Sequence, residues 1–321
     1  MRYWRRLIKV TLPIVMIFLF WDLNAASGFT VEAGKEKLVF LTNDGQKLEG
    51  LAQKPSGEGP FPVVIVIHGS GGMTDDYIDL CGYFAKYGFV GAAYARRGFP
   101  FGGGSPDRKL RYTDYIFKDI TDLNSVIEQL RKFEFVGNTS ISLIGWSEGG
   151  QIAYLAASQV KGLKAVIGLG GVTDYLDWYE WISTEYPKFP ISRLRSAAEN
   201  VRKVFGCAPQ ECKDRYLALS PIQQIDQISC PIMIAHGEKD VQVPVRQAHK
   251  FAESLRSSNK HCEIHVYPNE GHSPHFFSVP GFYRSSGSGV EAAWLAAQAW
   301  SEKSSQDLLG KIAIFLKENS R

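Results

Sequence analysis

One segment, Ser140-Ile-Ser-Leu-Ile-Gly-Trp-Ser-Glu-Gly-Gly150, joins an apolar run to a turn bounded by glycines. The turn is Gly145-Trp146-Ser147-Glu148-Gly149, and the residues that follow it, 151–159, have a helical composition. A serine on a sharp turn between a buried strand and a helix is held exposed in a strained backbone conformation, an arrangement called a nucleophile elbow. The segment therefore predicts a reactive serine at position 147.

Strand and helix patterns alternate on both sides of this segment. Residues 62–67 are apolar without alternation and rich in β-branched side chains, which is typical of a strand buried on both faces of a parallel sheet. Apolar runs and helical spacing predict further strands at 88–95, 140–144, 164–169, 231–235 and 263–267, and helices at 75–87, 115–132, 151–159 and 245–257. This alternation predicts an α/β fold with a doubly wound, mostly parallel sheet. A hairpin turning at Asn43-Asp44-Gly45 is expected at the sheet edge.

Residues 173–219 interrupt the alternation, because they are about twice as long as an ordinary crossover connection. We interpret them as a cap inserted into a main domain that spans residues 27–321. The cap is rich in aromatic residues, which either line a pocket or dock the cap onto the domain. Candidate substrate contacts are Trp146, Tyr175, Trp178, Tyr179 and Trp181.

A serine hydroxyl is a weak nucleophile at neutral pH and needs a general base that a third group orients. Asp240 follows the predicted strand 231–235, and His272 follows the last predicted strand, in the chain order serine, acid, histidine. Both side chains should therefore reach the carboxyl edge of the sheet, where ligands bind in open α/β folds. We assign His272 as the base and Asp240 as its orienting acid, with His275 and Asp174 as the respective alternatives.

Acyl transfer also needs hydrogen-bond donors for the negative charge that develops on the substrate oxygen. The backbone amide of Glu148, directly after the serine, is one expected donor. The loop His68-Gly-Ser-Gly-Gly72 should provide the other, with Ser70 preferred and Gly71 as the alternative.

Four other polar residues follow strands without an assigned chemical role. His68 and His236 each precede a glycine at a strand end and are interpreted as structural loop residues. Arg96 and Arg97 either pin neighbouring loops by hydrogen bonds or meet a substrate carboxylate, and the first interpretation is preferred.

These motifs resemble the α/β-hydrolase superfamily over about residues 60–270 and the terminal helix. Within it, the chain is most similar to the prolyl oligopeptidase and dienelactone hydrolase-type group. The similarity rests on the loop at 68–69, Arg97-Gly98 with Gly104, the elbow at Ser147, and the stretch from Ser220-Pro221 through Cys230-Pro231 and His236-Gly237 to Asp240 and Val243-Pro244. The resemblance implies the same triad of Ser147, Asp240 and His272. The predicted nucleophile of this chain is a serine, whereas dienelactone hydrolases carry a cysteine.

The net charge of +3 originates at the N-terminus. Four basic residues precede an apolar run over 10–21 and a cluster of small residues, which is the layout of a secretory signal peptide. The run is shorter than the roughly 20 residues that span a bilayer, so cleavage near residue 26 is preferred over an N-terminal anchor. Removal of residues 1–26 takes four basic groups and one acid, which leaves a neutral, exported protein. A membrane partner is expected only if the segment stays uncleaved.

The remaining features exclude several classes of partner. The neutral chain has no basic stripe for a nucleic acid backbone. The pair His272 and His275 lacks a third ligand at a useful spacing, so neither a metal nor another cofactor is expected. Cys207 and Cys212 could form a disulfide in an exported chain, and an unpaired state is equally open.

The sequence therefore predicts an exported serine hydrolase that cleaves an ester, or else a thioester or amide, of a small to medium acyl group through an acyl-enzyme on Ser147. Two alternatives remain open: an acyltransferase on the same fold, and a non-catalytic binding protein on a hydrolase scaffold. The oligomeric state stays open.

Overall fold

Nine strands form one mixed sheet in the described part of the chain, in the order β1-β2-β3-β5-β4-β6-β7-β8-β9. The computed structural model describes residues 30–32, 35–73, 77–102, 107, 115–189, 194–274, 276 and 297–320. The predicted export segment and His275 lie outside these residues. The strands are β1 Thr30–Glu32, β2 Lys35–Leu41, β3 Lys47–Gln53, β4 Phe61–Ile67, β5 Val90–Tyr94, β6 Val136–Trp146, β7 Leu163–Leu169, β8 Ile232–Gly237 and β9 Cys262–Tyr267.

The sheet is antiparallel from β1 to β5 and parallel from β5 to β9. Its central strands are buried on both faces, as their unbroken apolar sequences predict: Val63 to Ile67 are all inaccessible to solvent. The carboxyl ends of β4, β6, β7, β8 and β9 therefore meet along one edge of the sheet. This arrangement confirms the predicted doubly wound, mostly parallel sheet.

Helices cover both faces of the sheet. They are α1 Tyr77–Lys86, α2 Tyr115–Leu130, α3 Glu148–Gln159, α4 Tyr175–Thr184, α5 Ala197–Phe205, α6 Lys213–Ala218, α7 Arg246–Ser257 and α8 Glu302–Asn319, with short 3₁₀ turns at Tyr186–Lys188 and Pro221–Gln227. Helices α2, α3 and α7 bury their apolar stripes in the hydrophobic cluster on one face, whereas α1 and α8 pack in the cluster on the other. None of the helices in the described ranges is both long and apolar enough to cross a membrane.

The structure contains one strand that the sequence does not predict, and another strand begins earlier than its apolar pattern indicates. The hairpin of β2 and β3 forms as expected, but β1 pairs with β2 and occupies the outer position. Strand β6 begins at Val136 instead of residue 140, because Val136 pairs with Phe61 before an irregularity in the register. The polar residues at 138–140 hide this early start from a pattern of apolar residues.

The segment interpreted as a cap carries α4, α5 and α6 between β7 and β8. It has a small apolar cluster of its own around Ile182, Tyr186 and Leu194. Other residues of the segment, among them Tyr175 and Phe205, join the main hydrophobic cluster. The division of the chain into a main domain and a cap stays a prediction.

Cys207 and Cys212 are disulfide-bonded across the turn between α5 and α6, with their Cα atoms 6.0 Å apart. The disulfide resolves the alternative that the spacing left open. Cys81, Cys230 and Cys262 are free thiols, and the first two are buried.

Candidate active site

Ser147 lies in the turn between β6 and α3 with a backbone φ of 56°, in the left-handed region that side chains rarely adopt. A Cβ atom added to Gly145 would lie 2.1 Å from the carbonyl oxygen of Gly149, and one added to Gly149 would lie 2.2 Å from the carbonyl oxygen of Ile67. Only glycine fits at these two positions, because the start of α3 lies directly against Gly145 of β6 and Gly149 lies directly against the end of β4. The turn is held by hydrogen bonds from Ser147 N to Leu169 O and from Gln151 N to Ser147 O. The elbow geometry thus follows from the glycine spacing.

The structure brings Ser147, His272 and Asp240 together in one hydrogen-bonded chain. His272 Nε2 lies 2.9 Å from Ser147 Oγ, and His272 Nδ1 lies 2.7 Å from Asp240 Oδ2. Asp240 follows β8 and His272 follows β9, so neighbouring parallel strands deliver both side chains to the carboxyl edge beside the elbow. Since an ionised carboxylate only accepts hydrogen bonds, Nδ1 carries the proton, and Nε2 accepts from the serine hydroxyl.

Asp240 is buried and yet favours its ionised form. Burial raises its pKa, but the charges and hydrogen bonds of His272 and His236 outweigh this effect and bring the pKa below the usual value. The second carboxylate oxygen accepts from the backbone amides of Gln242 at 2.8 Å and Val243 at 2.9 Å. The carboxylate is therefore fixed in orientation as well as in charge.

His236 is a residue of the site, although its place before a glycine at a strand end predicts only a structural role. Its Nε2 lies 3.2 Å from Asp240 Oδ2 and 2.8 Å from the carbonyl oxygen of Val243. Both partners are acceptors, so Nε2 carries the proton and His236 adds a second donor to the Asp240 carboxylate. The available signal was its position four residues before the predicted acid.

Ser70 and Glu148, the predicted oxyanion donors, both line a cavity of about 290 Å³ that also contains Ser147 and His272. Glu148 is the first residue of α3, and its backbone amide directly follows Ser147. The alternative donor, Gly71, is not among the described residues that line this cavity.

Much of the lining of this cavity is aromatic and aliphatic. Of the candidate substrate contacts, Tyr175 and Trp178 line it, together with Tyr186, Val201, Val204 and Phe205. The others lie outside its described lining: Trp146 donates to His272 O at 2.8 Å, Tyr179 packs edge-on against Tyr216, and Trp181 donates to Val241 O at 2.9 Å.

Three aromatic donors from residues 173–219 converge on the loop that carries the acid. Trp178 Nε1 and the Tyr186 hydroxyl donate to the carbonyl oxygen of Gln242, at 2.9 and 2.7 Å, and Trp181 Nε1 donates to that of Val241. The aromatic residues therefore do both of the things left open: some line the cavity, and some dock the segment onto the loop after β8.

Asp174, the alternative acid, has a different place in the structure. Its Oδ1 accepts from the backbone amides of Leu176 and Asp177 at the start of α4, and its Oδ2 pairs with Lys250 at 2.6 Å. Asp174 is thus a helix cap.

Arg96 and Arg97 are both buried in ion pairs. Arg97 joins Asp122 to Asp44, and Arg96 contacts Asp119 and Glu148. These contacts correspond to the preferred interpretation of the two arginines as residues that pin neighbouring loops.

Comparisons with known proteins agree with this architecture. The "Uncharacterized peptidase YtmA" of Bacillus subtilis is 26% identical over 239 residues, which cover 73% of this chain and 84% of that protein. The "Serine hydrolase BPHL" of Mus musculus is 24% identical over 244 residues, covering 71% of this chain and 78% of that protein. Among solved structures, an acylaminoacyl peptidase of Pyrococcus horikoshii matches with a TM-score of 0.65 and 21% identity, over 92% of this chain but 43% of that one.

The structural neighbours confirm the predicted α/β-hydrolase fold. The model of the dienelactone hydrolase family matches residues 48–304, which include the elbow, Asp240 and His272. This chain is therefore a hydrolase that belongs to the dienelactone hydrolase family.

Proposed function

We propose that the protein is an exported serine hydrolase that cleaves carboxylic esters through an acyl-enzyme on Ser147. The observation that carries the proposal is the chain from Asp240 through His272 to Ser147 Oγ, which ends at a cavity lined in part by aromatic and aliphatic side chains. Such a chain converts a weakly nucleophilic hydroxyl into an attacking group. Export rests on the composition of residues 1–26 alone.

In the first half of the reaction, His272 Nε2 takes the proton of Ser147 Oγ while the oxygen forms a bond to the acyl carbon. The carbonyl electron pair moves onto the substrate oxygen, which the amides of Ser70 and Glu148 stabilise. Collapse of this intermediate breaks the ester C–O bond, and the alcohol leaves with the proton that His272 carried.

In the second half, water attacks the acyl carbon while His272 removes one of its protons. The second intermediate collapses with return of that proton to Ser147 Oγ, which regenerates the hydroxyl and releases the acid. Asp240 keeps its charge throughout, and it stabilises the imidazolium that forms in each half.

We propose that the enzyme selects substrates by their acyl group, which is uncharged and of small to medium size. A cavity of about 290 Å³ holds a compact group, and Tyr175, Trp178 and Phe205 offer it apolar contact. Apart from His272, Glu148 is the one acidic or basic residue in the described lining of the cavity. Its carboxylate is paired with Arg96. Thioesters and amides would use the same residues, so the choice among the three is tested directly.

The experiment combines active-site labelling with substrate profiling. Purified protein is treated with a fluorophosphonate probe and assayed on activated esters, thioesters and amides of matched acyl groups, beside Ser147→Ala and the control Ser183→Ala. Ser183 lies on α4 with an exposed side chain whose hydroxyl, among the described residues, donates to the carbonyl oxygen of Tyr179. We expect labelling and ester cleavage by the wild type and Ser183→Ala and neither by Ser147→Ala. Equal labelling of all three proteins would overturn the proposal. Transfer of the acyl group to an added alcohol instead of water would indicate a transferase.

A further inference from the structure

Arg96 lies completely buried beneath the loop and the turn that carry the two predicted oxyanion donors. Its Nη1 contacts Asp119 Oδ2 at 2.9 Å, and its Nη2 contacts both the Glu148 carboxylate and the carbonyl oxygen of Gly69, the latter at 3.1 Å. A buried guanidinium is costly unless charged and polar partners surround it. Here the partners come from three elements: helix α2, the turn after β6 and the loop after β4.

The Gly69 carbonyl oxygen has a second donor, the ring of His68. Arg96 N donates to His68 Nε2 at 2.9 Å, so that nitrogen is unprotonated and His68 Nδ1 carries the proton that it gives to Gly69 O at 2.6 Å. Arg96 thus acts on this carbonyl twice: once through its guanidinium and once through its backbone amide, which fixes the tautomer of His68.

The hold on Gly69 O determines the direction of the next amide. In a trans peptide, the C=O of one residue and the N–H of the next point in opposite directions. Since the Gly69 carbonyl points into the protein toward Arg96, the Ser70 N–H points away from it. Gly69 itself lies against the elbow, because a Cβ there would be 3.3 Å from Ser147 Cβ. The Ser70 amide is therefore directed toward the cavity that Ser147 and Ser70 line.

The other predicted donor is joined to the same guanidinium. Glu148 is paired with Arg96 through its side chain, and its backbone amide directly follows Ser147. The pairing also neutralises a carboxylate that would otherwise stand unbalanced near the negative charge of the intermediate.

We propose that Arg96 is a positioning residue that sets the orientation of both oxyanion donors, Ser70 N–H and Glu148 N–H. The inference rests on the proposed function, and it adds a residue to that function which no motif identifies. It predicts that loss of Arg96 impairs the stabilisation of the tetrahedral intermediate more than the binding of the substrate.

The test compares Arg96→Gln with Arg97→Gln. Arg97 is a matched control, since it is adjacent, largely buried and also bridges two carboxylates, Asp122 and Asp44, yet has no contact with the loop at 68–72 among its described bonds. The readouts are the rate constant of fluorophosphonate labelling, kcat and KM on an activated ester, and the affinity for a trifluoromethyl ketone that mimics the tetrahedral intermediate. Thermal unfolding is measured on each variant.

We expect Arg96→Gln to lower kcat and the labelling rate by about 100-fold, as misplacement of reacting groups by about 1 Å does. The affinity for the ketone should fall by a similar factor, KM should stay within about threefold of wild type, and Arg96→Lys should restore part of the loss. Arg97→Gln should unfold at a lower temperature but keep its kcat. If Arg96→Gln does not fold, Glu148→Gln replaces it in the test. This variant keeps the backbone amide of residue 148 and removes the carboxylate charge, and we expect a smaller loss of kcat and labelling rate, again with little change in KM.

Wild-type kcat and labelling in a folded Arg96→Gln, or equal losses in Arg96→Gln and Arg97→Gln, would overturn the inference. So would a loss confined to KM. Failure of the wild type to label would instead contradict the proposed function itself, which separates the two outcomes.

Discussion

His236 Nε2 lies 3.2 Å from Asp240 Oδ2, the same carboxylate oxygen that accepts the hydrogen bond from His272. His236 and His272 thus both contact a single buried oxygen. Because His236 belongs to β8, Asp240 is fixed to the strand that precedes it as well as to the base, His272.

This contact predicts a pH-dependent loss of stability in His236→Leu. A carboxyl group whose pKa is lowered in the folded state stabilises the protein above its unfolded pKa, and the contribution disappears as the pH falls through the folded pKa. Removal of His236 raises the pKa of Asp240, so the variant should be less stable than wild type by about 2 kcal/mol at pH 7. The difference should narrow below the ordinary carboxyl pKa of about 4. Urea unfolding at several pH values measures it, and a gap that widens in acid would contradict the explanation.

A comparison of two aspartates tests the assignment of the acid. Asp240→Asn should lower kcat by about 10⁴-fold, because an amide no longer favours the required tautomer of His272 or stabilises its cation. Asp174→Asn should leave kcat nearly unchanged, since asparagine also caps helices well and the lost partner, Lys250, is half exposed. Steady-state kinetics on both variants decide the matter, and a greater loss in Asp174→Asn would mean that the acid lies after β7.

The aromatic donors on the Gln242 carbonyl should stabilise the loop after β8 cooperatively. Trp178→Phe and Tyr186→Phe each remove one hydrogen bond while keeping an aromatic ring, and each should cost about 1 kcal/mol. The double variant should lose more than the two single losses added together, because each single variant keeps one of the two donors to the carbonyl and the double variant keeps neither. A double-mutant cycle by urea unfolding measures the coupling, and strict additivity would indicate that the two bonds act independently.

Loss of the disulfide between Cys207 and Cys212 should lower the free energy of unfolding by about 2 kcal/mol, the amount expected for so short a loop. It should also raise KM, since Val204 and Phe205 at the end of α5 line the cavity. The variant with both cysteines changed to serine tests this by urea unfolding and kinetics. Alkylation of the unreduced, denatured wild type should modify three thiols, and modification of all five would show that the bond is absent.

The sequence was most informative where a residue's neighbours along the chain determine its surroundings. Ser147 was identified because a buried strand, two glycines and a helix surround it within a few residues. Asp240 and His272 were placed because each follows a strand whose carboxyl end had to reach the same sheet edge.

Contacts between distant segments could not be predicted in this way. Arg96 is 23 residues from Asp119 and 52 from Glu148, so no local pattern links them. The contact of His236 with Asp240 depends on how the loop after β8 turns, and a strand of only three residues, β1, is too short to give a periodic signal.

Acylation of Ser147 is tested by mass spectrometry of the covalent intermediate. Wild-type protein is mixed with an excess of an activated ester, quenched in acid within the first turnovers, and digested. We expect the mass of the acyl group on the peptide that contains Ser147, and no adduct in Ser147→Ala. An acyl group on another residue, or rapid ester cleavage by Ser147→Ala, would contradict this expectation.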